Sequence, residues 1–202
     1  MVKQWTDPFL ARYTLGSRLG KGSFGKVHRA FRKDSGVSVA IKLINVDAQD
    51  AAGRFRREAH LLSKLHHESI VPLLEYFPPR EVREEAVLVF PEREGDLRRF
   101  IERRRADGLC ATAGPAVARF RIESWACQLA SGLAYLHSQS IVHRDLKPAN
   151  ILLRWAGGDI CVEIADLGTA REAPEAQRRT RSSKSTAELA LRPVARLPQQ
   201  RE

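Results

Sequence analysis

The 202-residue sequence predicts an α+β chain: a strand-rich first half with one main helix, a helical second half, and a tail that builds no core. Three observations carry this. β-Branched and aromatic residues flank a Lys33-Asp34-Ser35-Gly36 turn, which is hairpin chemistry. Two later stretches repeat apolar residues at steps of three and four, the period of a helix buried on one face. Every aromatic residue and every glycine lies before residue 171, so the last 32 residues have little to bury.

Taken in order, the run YTLGSRLGKGSFGKVHRAF (13–31) reads as two strands joined at its glycines, and VSVAIKLI (37–44) as a third. A helix follows from Ala51 to Leu65, with Phe55, Ala59, Leu62 and Leu65 at helical spacing. Val71–Phe77 and Ala86–Phe90 are the next strands. From Asp96, an N-cap for LRRFIERRR, the pattern turns helical. A longer helix, Pro115 to His137, carries Ile122, Trp125, Leu129, Leu133 and Leu136. One folded domain over 10–171 is expected, followed by a disordered basic tail over 172–202.

Composition narrows the function. Hydrophobic residues make up 43% and charged residues 29%, the balance of a soluble globular chain. The longest apolar runs, such as Ala86–Phe90, fall far short of the ~20 residues a bilayer span takes. MVKQWTDPFLARY holds no apolar h-region, so no secretory leader is expected. Cys110, Cys127 and Cys161 lie far apart, which disfavours a disulfide framework or zinc cluster and suits a reducing compartment. The net charge is +10, and the tail from Arg171 supplies four of those charges. Such a surplus attracts nucleic acid, membranes or polyphosphates, and charge alone does not choose.

The motifs do choose. Gly20-Lys21-Gly22-Ser23-Phe24-Gly25-Lys26-Val27 is a G-x-G-x-x-G-x-V run, where missing side chains let backbone N–H groups approach phosphates. Alone it reads equally as a hairpin turn, and its strand–loop–strand setting disfavours a dinucleotide fold. Lys42, in Val39-Ala40-Ile41-Lys42, is costly to bury without an anion, which Glu58 on the following helix could supply; the alternative is an edge residue that reaches water. The deciding stretch is His143-Arg144-Asp145-Leu146-Lys147-Pro148-Ala149-Asn150, followed by Asp166-Leu167-Gly168. Two aspartates and one asparagine from separate loops suit hard oxygen ligation of Mg²⁺ plus one general base.

With these residues in order, the sequence resembles the eukaryotic protein kinase family from about Tyr13 to Arg171. The resemblance implies a protein-kinase-like α+β fold with a strand-rich N-lobe and an incomplete helical C-lobe. It implies a protein serine/threonine kinase, since Lys147 follows the catalytic-loop aspartate at the serine/threonine position. ATP and Mg²⁺ are the implied cofactors and a Ser/Thr-bearing protein the implied substrate; nucleic acid and membrane partners are not expected, and placement is cytoplasmic or nuclear. Leu19, Gly20, Lys21, Gly22, Ser23, Phe24, Gly25 and Val27 would form the glycine loop, and Lys42, paired with Glu58, would hold the α- and β-phosphates. Val27, Ala40 and Leu152 would enclose adenine. Asp145 would accept the hydroxyl proton, Lys147 steady the γ-phosphate, and Asn150 and Asp166 bind the metal. With Phe90 as gatekeeper, the Pro91 carbonyl and the Arg93 N–H meet adenine; with Val89, Phe90 and Glu92 do.

Departures from the family pattern set further expectations. DFG stands here as DLG, a mild change. Only 36 residues follow Asp166, too few for an activation segment and the remaining helical lobe, so the chain reads as truncated and poorly active. A non-catalytic nucleotide-binding or regulatory module is the alternative reading. Ala173-Pro174-Glu175, seven residues after Asp166, reads as a coincidental APE. His66 and His67 are expected to cap a helix end, Cys127 to face helix packing, and Arg98, Arg99, Arg103, Arg104 and Arg105 to form a solvated face.

Overall fold

The computed structural model describes residues 7–22, 25–45, 51–79, 85–106 and 115–172. Its first part is a five-stranded antiparallel sheet in the order β1-β2-β3-β5-β4: β1 Tyr13–Gly22, β2 Gly25–Arg32, β3 Ser38–Asn45, β4 Glu75–Phe77 and β5 Glu85–Pro91. Both faces are covered, which is why the inner strands read as nearly continuous apolar runs. On one face Val39, Ile41, Leu43, Val87 and Val89 pack with Phe9, Tyr13 and Phe77. On the other, Ile44, Ala86 and Leu88 meet Phe55, Ala59 and Leu62 of α2, Ala51–Lys64.

A short helix, α1 (Asp7–Arg12), lies ahead of the sheet, and no periodicity in the sequence announces it. What fixes it is aromatic packing. Phe9 is fully buried, stacks on Tyr13 at 5.3 Å between ring centroids, and meets Phe77 edge-on at 5.7 Å. Such pairs add to area burial.

The strand expected over 71–77 shrinks to Glu75–Phe77. The reason is a competing partner: the Val71 N–H donates to the Ile164 carbonyl at 3.0 Å and the Ile164 N–H to the Ser69 carbonyl at 2.8 Å. Pro72 has no N–H to offer a ladder. This segment therefore joins the sheet to the second half of the molecule instead.

That half begins after the linker Glu92–Glu94 with β6 (Gly95–Asp96) and α3 (Leu97–Ala106). The Arg99 N–H donates to Asp96 Oδ1 at 2.9 Å, the expected N-cap. α4 runs from Pro115 to Ser138. The chain then forms β7 (Ile141–Val142), β8 (Ile151–Ala156), β9 (Asp159–Ile164) and β10 (Arg171–Glu172), with single 3₁₀ turns at 148–150 and 167–169. β8 and β9 are joined by Gly157 and Gly158, both at positive φ (+59° and +86°), a two-residue turn that matches strand twist. Ile151, Leu153, Val162 and Ile164 of this hairpin pack on Trp125, Leu129 and Leu133 of α4. Trp125 Nε1 donates to the Ile160 carbonyl at 2.8 Å, and the Val162 N–H to Gln128 Oε1 at 2.8 Å.

Two expectations change. Cys127 is exposed on α4 rather than facing helix packing. His67 does more than cap: its ring stacks on Tyr135 at 5.0 Å and its Nδ1 accepts the Ser69 N–H at 3.0 Å. The arginines of α3 do form a solvated face, with Arg104 lying over the Phe100 ring at 5.3 Å. Of the region expected to be a disordered tail, Glu172 pairs with Ile141, and residues 173–202, including Ala173-Pro174-Glu175, lie outside the described residues. No helix among the described residues is long and apolar enough to cross a membrane.

Candidate active site

The roof of the cleft is set by strand register. Val27 stands opposite Lys42, Ala40 opposite both Arg29 and Phe90, and Lys42 opposite Leu88. Directly opposed residues share a face, so Val27, Ala40, Lys42, Leu88 and Phe90 all lie on the α2 side of the sheet. The two gatekeeper alternatives lie on different faces of the sheet. Phe90 packs beside α2 and lines the cleft face, whereas Val89, opposite Ile41, is fully buried on the far face with Phe9 and Tyr13.

The glycine run folds as the end of β1 and the start of β2, with Gly20 opposite Val27, Lys21 opposite Lys26, and Gly22 opposite Gly25. Leu19 lies in β1, and its carbonyl accepts from Arg99 Nη2 of α3 at 3.3 Å. Ser23 and Phe24 lie outside the described residues. Gly25 has a structural reason of its own: a Cβ there would stand 1.8 Å from the Leu43 carbonyl oxygen.

Lys42 ends in a buried ion cluster. Its Nζ donates to Glu58 Oε1 and to Asp166 Oδ1, each at 2.7 Å. The Lys42 and Glu58 side chains are only 7% and 5% exposed. Burial pulls the ammonium down, but the carboxylates of Glu58 and Asp166 overcome it and hold Lys42 above its ordinary value. Burial pushes the Glu58 carboxyl up, against the opposing pull of Lys42. Glu58 owes its place to α2, where Phe55, Ala59 and Leu62 anchor the same helix against the sheet. Leu167, beside Asp166, packs into that cluster and is 2% exposed.

The second group of residues sits on the loop after β7. Asn150 Nδ2 donates to the Asp145 carbonyl at 2.8 Å and to its Oδ2 at 3.1 Å, while Lys147 Nζ donates to Oδ2 at 2.7 Å. Lys147 first, with Asn150 adding to it, holds the Asp145 carboxyl below the usual carboxylate range. His143 is buried and braces the loop: its Nδ1 accepts the Asp145 N–H at 3.3 Å, so its Nε2 donates to the Ala165 carbonyl at 2.9 Å. Thr169 closes the clasp. Its hydroxyl donates to the His143 carbonyl at 3.0 Å, and its own carbonyl accepts from Arg144 Nε at 2.8 Å.

Strain concentrates here. Arg144 and Asp166 adopt positive φ (68° and 60°), and Ser140 is the one other non-glycine residue to do so among the described residues. Left-handed backbone is uncommon for such residues and persists where surrounding contacts over-determine it. For Arg144 and Asp166 those contacts are the Thr169 carbonyl and Lys42.

The residues fit a hard cation. The Ala165 N–H donates to the Asn150 carbonyl at 2.9 Å, tying the residue before Asp166 to Asn150. With Nδ2 committed to Asp145, the Asn150 amide oxygen and the Asp166 carboxylate are the donors Mg²⁺ prefers. Leu152 is half-buried in β8, and Val27 and Ala40 are half-buried in β2 and β3.

Residues 13–189 match the protein kinase domain family. The chain belongs to the protein kinase family. Its relatives include serine/threonine-protein kinase 36 of Pongo abelii, 35% identical over 164 residues that cover 80% of this chain and 11% of the relative. DNA damage response protein kinase DUN1 of Saccharomyces cerevisiae is 34% identical over 191 residues, 84% of this chain and 35% of the relative. An Aurora kinase of Schizosaccharomyces pombe is 32% identical over 183 residues, 88% and 46% respectively. The chain thus spans less than half the length of each of these kinases.

Sequence reasoning missed Thr169, Ala165, Arg29 and Glu163 around this kinase cleft. The contacts that give them a role, with His143, Glu92 and Arg93, span 22 to 70 residues, beyond any local pattern.

Proposed function

We propose that this chain is the phosphoryl-transfer unit of a Mg²⁺·ATP-dependent protein kinase acting on serine or threonine hydroxyls. The observation that carries the reading is Lys42 held between Glu58 and Asp166 across the cleft from the Asp145–Lys147–Asn150 group. Phosphoryl transfer asks for positioning and charge neutralisation more than covalent help, and these residues supply both.

When bound, Mg²⁺·ATP supplies the γ-phosphoryl group, and the bond to the acceptor oxygen forms as the bond to the β-phosphate oxygen breaks. Asn150 and Asp166 would hold the metal. Lys42, charged throughout the neutral range, would meet the α- and β-phosphates. Asp145, held ionised by Lys147, would orient the acceptor hydroxyl and take its proton. Lys147, 46% exposed, would then steady the γ-phosphate. Lys147 also matches the serine/threonine pattern.

Thermal-shift titration of the full chain with Mg·ATP should raise Tm, and Lys42→Ala should abolish the rise. Radiolabelled phosphate transfer to a generic serine/threonine substrate, expected to be weak in this chain, should vanish in Asp145→Asn. A folded preparation that shows no shift overturns nucleotide binding. Transfer that survives Asp145→Asn overturns the role of Asp145.

A further inference from the structure

The linker after β5 carries charges of alternating sign, Glu92, Arg93 and Glu94, and the first two are pulled in opposite directions. Glu92 reaches back to β2. Arg29 Nε donates to both of its carboxylate oxygens at 2.9 Å, and Arg29 Nη2 adds a third contact. Arg93 reaches forward to β9. Its Nε donates to Glu163 Oε2 at 2.7 Å and its Nη2 to Oε1 at 3.1 Å, a two-pronged pairing. The Glu163 side chain is 3% exposed, and Arg154 of β8 donates to it as well, at 2.5 Å.

The anchor points matter. Arg29 stands opposite Ala40 in the β2–β3 ladder, and Glu163 stands opposite Leu152 in the β8–β9 ladder. Ala40 and Leu152 are two of the residues expected to enclose adenine, one from each half of the molecule. Two consecutive linker residues are therefore tied to the strand neighbours of two residues expected to enclose adenine. A forked arginine–carboxylate pair fixes direction as well as distance, and partly buried pairs are weakly screened by salt.

We propose that Arg29–Glu92 and Arg93–Glu163 form a clamp that sets the height of the adenine slot and the placement of the linker main chain between Pro91 and Arg93. The inference rests on the nucleotide-binding reading above. Glu92 and Glu163 are positioning residues: they act through the linker and the strands that form the slot. A role in stability alone makes a different prediction, because it would move melting and affinity together.

The test uses the full chain, with Mg·ATP affinity by calorimetry, Tm, and hydrogen exchange of the amides of 90 and 92–95. Glu92→Gln should weaken Mg·ATP about tenfold and speed linker exchange, with Tm nearly unchanged. Arg93→Lys keeps the charge but loses the fork, and should also weaken binding. The reversed pair, Arg29→Glu with Glu92→Arg, should recover most of the affinity that each single change loses. Unchanged affinity in Glu92→Gln and Arg93→Lys, against a parent that binds, overturns the clamp. So does a loss that follows Tm and is not recovered by reversal. A parent that binds no Mg·ATP overturns the nucleotide reading itself, and the clamp with it.

Discussion

Asn150 grips Asp145 at two points, with Nδ2 2.8 Å from its main-chain carbonyl and 3.1 Å from its carboxylate. One amide thus fixes both the path of the loop and the rotamer of the proposed base. Asn150 is 6% exposed, so the grip is shielded from water.

Asn150→Ala should therefore act on rate more than on fold. Releasing Asp145 costs positioning, and a misplacement of an ångström is worth roughly a hundredfold in rate. Losing the hydrogen bonds should cost about 1–3 kcal/mol of stability. Initial rates of phosphate transfer beside urea melts of the same variant separate the two. A variant that melts early but transfers at the parental rate would reject the positioning role.

Tyr13 makes a pH prediction. Burial first, then its bond to Glu75 at 2.8 Å, pushes the Tyr13 hydroxyl from its ordinary 10.0 up to about 12. The folded chain therefore keeps this proton longer than the unfolded chain. Its contribution to stability is fully present below pH 10 and is lost as pH rises toward 12. Denaturant melts at pH 9 and pH 11.5 should show a larger drop in the parent than in Tyr13→Phe. Equal drops would mean that other groups account for the alkaline loss.

How much of this was legible in the sequence depends on distance along the chain. β1, β2, β3, α2 and α4 follow from local periodicity. Lys42, Glu58 and Asp166 meet, as do Asp145, Lys147 and Asn150, and the motifs single out all six, because spacing within a loop is local information. α1 was not legible, since six residues carry no period and only Phe77, far along the chain, explains why Phe9 is buried. The strand over 71–77 was over-read, because nothing nearby shows that Ile164 competes for the Val71 N–H. The linker pairings were invisible for the same reason: Arg29 and Glu92 are 63 residues apart, Arg93 and Glu163 are 70.

The ion cluster around Lys42 predicts a second pH effect. Lys42→Met leaves Glu58 buried without its cation, which costs about 3–5 kcal/mol at neutral pH. Burial already pushes the Glu58 carboxyl up, and losing Lys42 removes the main pull in the other direction. A carboxyl whose folded value is raised is easiest to bury below its unfolded value and destabilises as pH climbs through the folded one. Lys42→Met should therefore lose more stability relative to the parent at pH 7.5 than at pH 5. Adding Glu58→Gln should restore part of it. A pH-independent deficit would place the charge outside the pair.

Two glycines of the same loop should respond differently to the same substitution. At Gly25 a Cβ would stand 1.8 Å from the Leu43 carbonyl oxygen and 2.9 Å from its carbon, both main-chain atoms with no freedom to swing aside. Gly25→Ala must therefore part β2 from β3 where Gly25 faces Ile44, at a cost of roughly 3 kcal/mol as overpacking. At Gly20 the nearest atom is Arg99 Nη2 at 3.8 Å, the far end of a flexible side chain, and the residue is not at positive φ. Gly20→Ala should fold and melt within about 1 kcal/mol of the parent. If the glycine at 20 is there for a phosphate, the same variant should lose Mg·ATP affinity, because an added methyl group keeps the main-chain N–H from its closest approach. Melting curves and Mg·ATP titrations on both variants decide the matter. Gly25→Ala melting like the parent would refute the close approach to Leu43. Gly20→Ala binding like the parent would leave that glycine a turn former only.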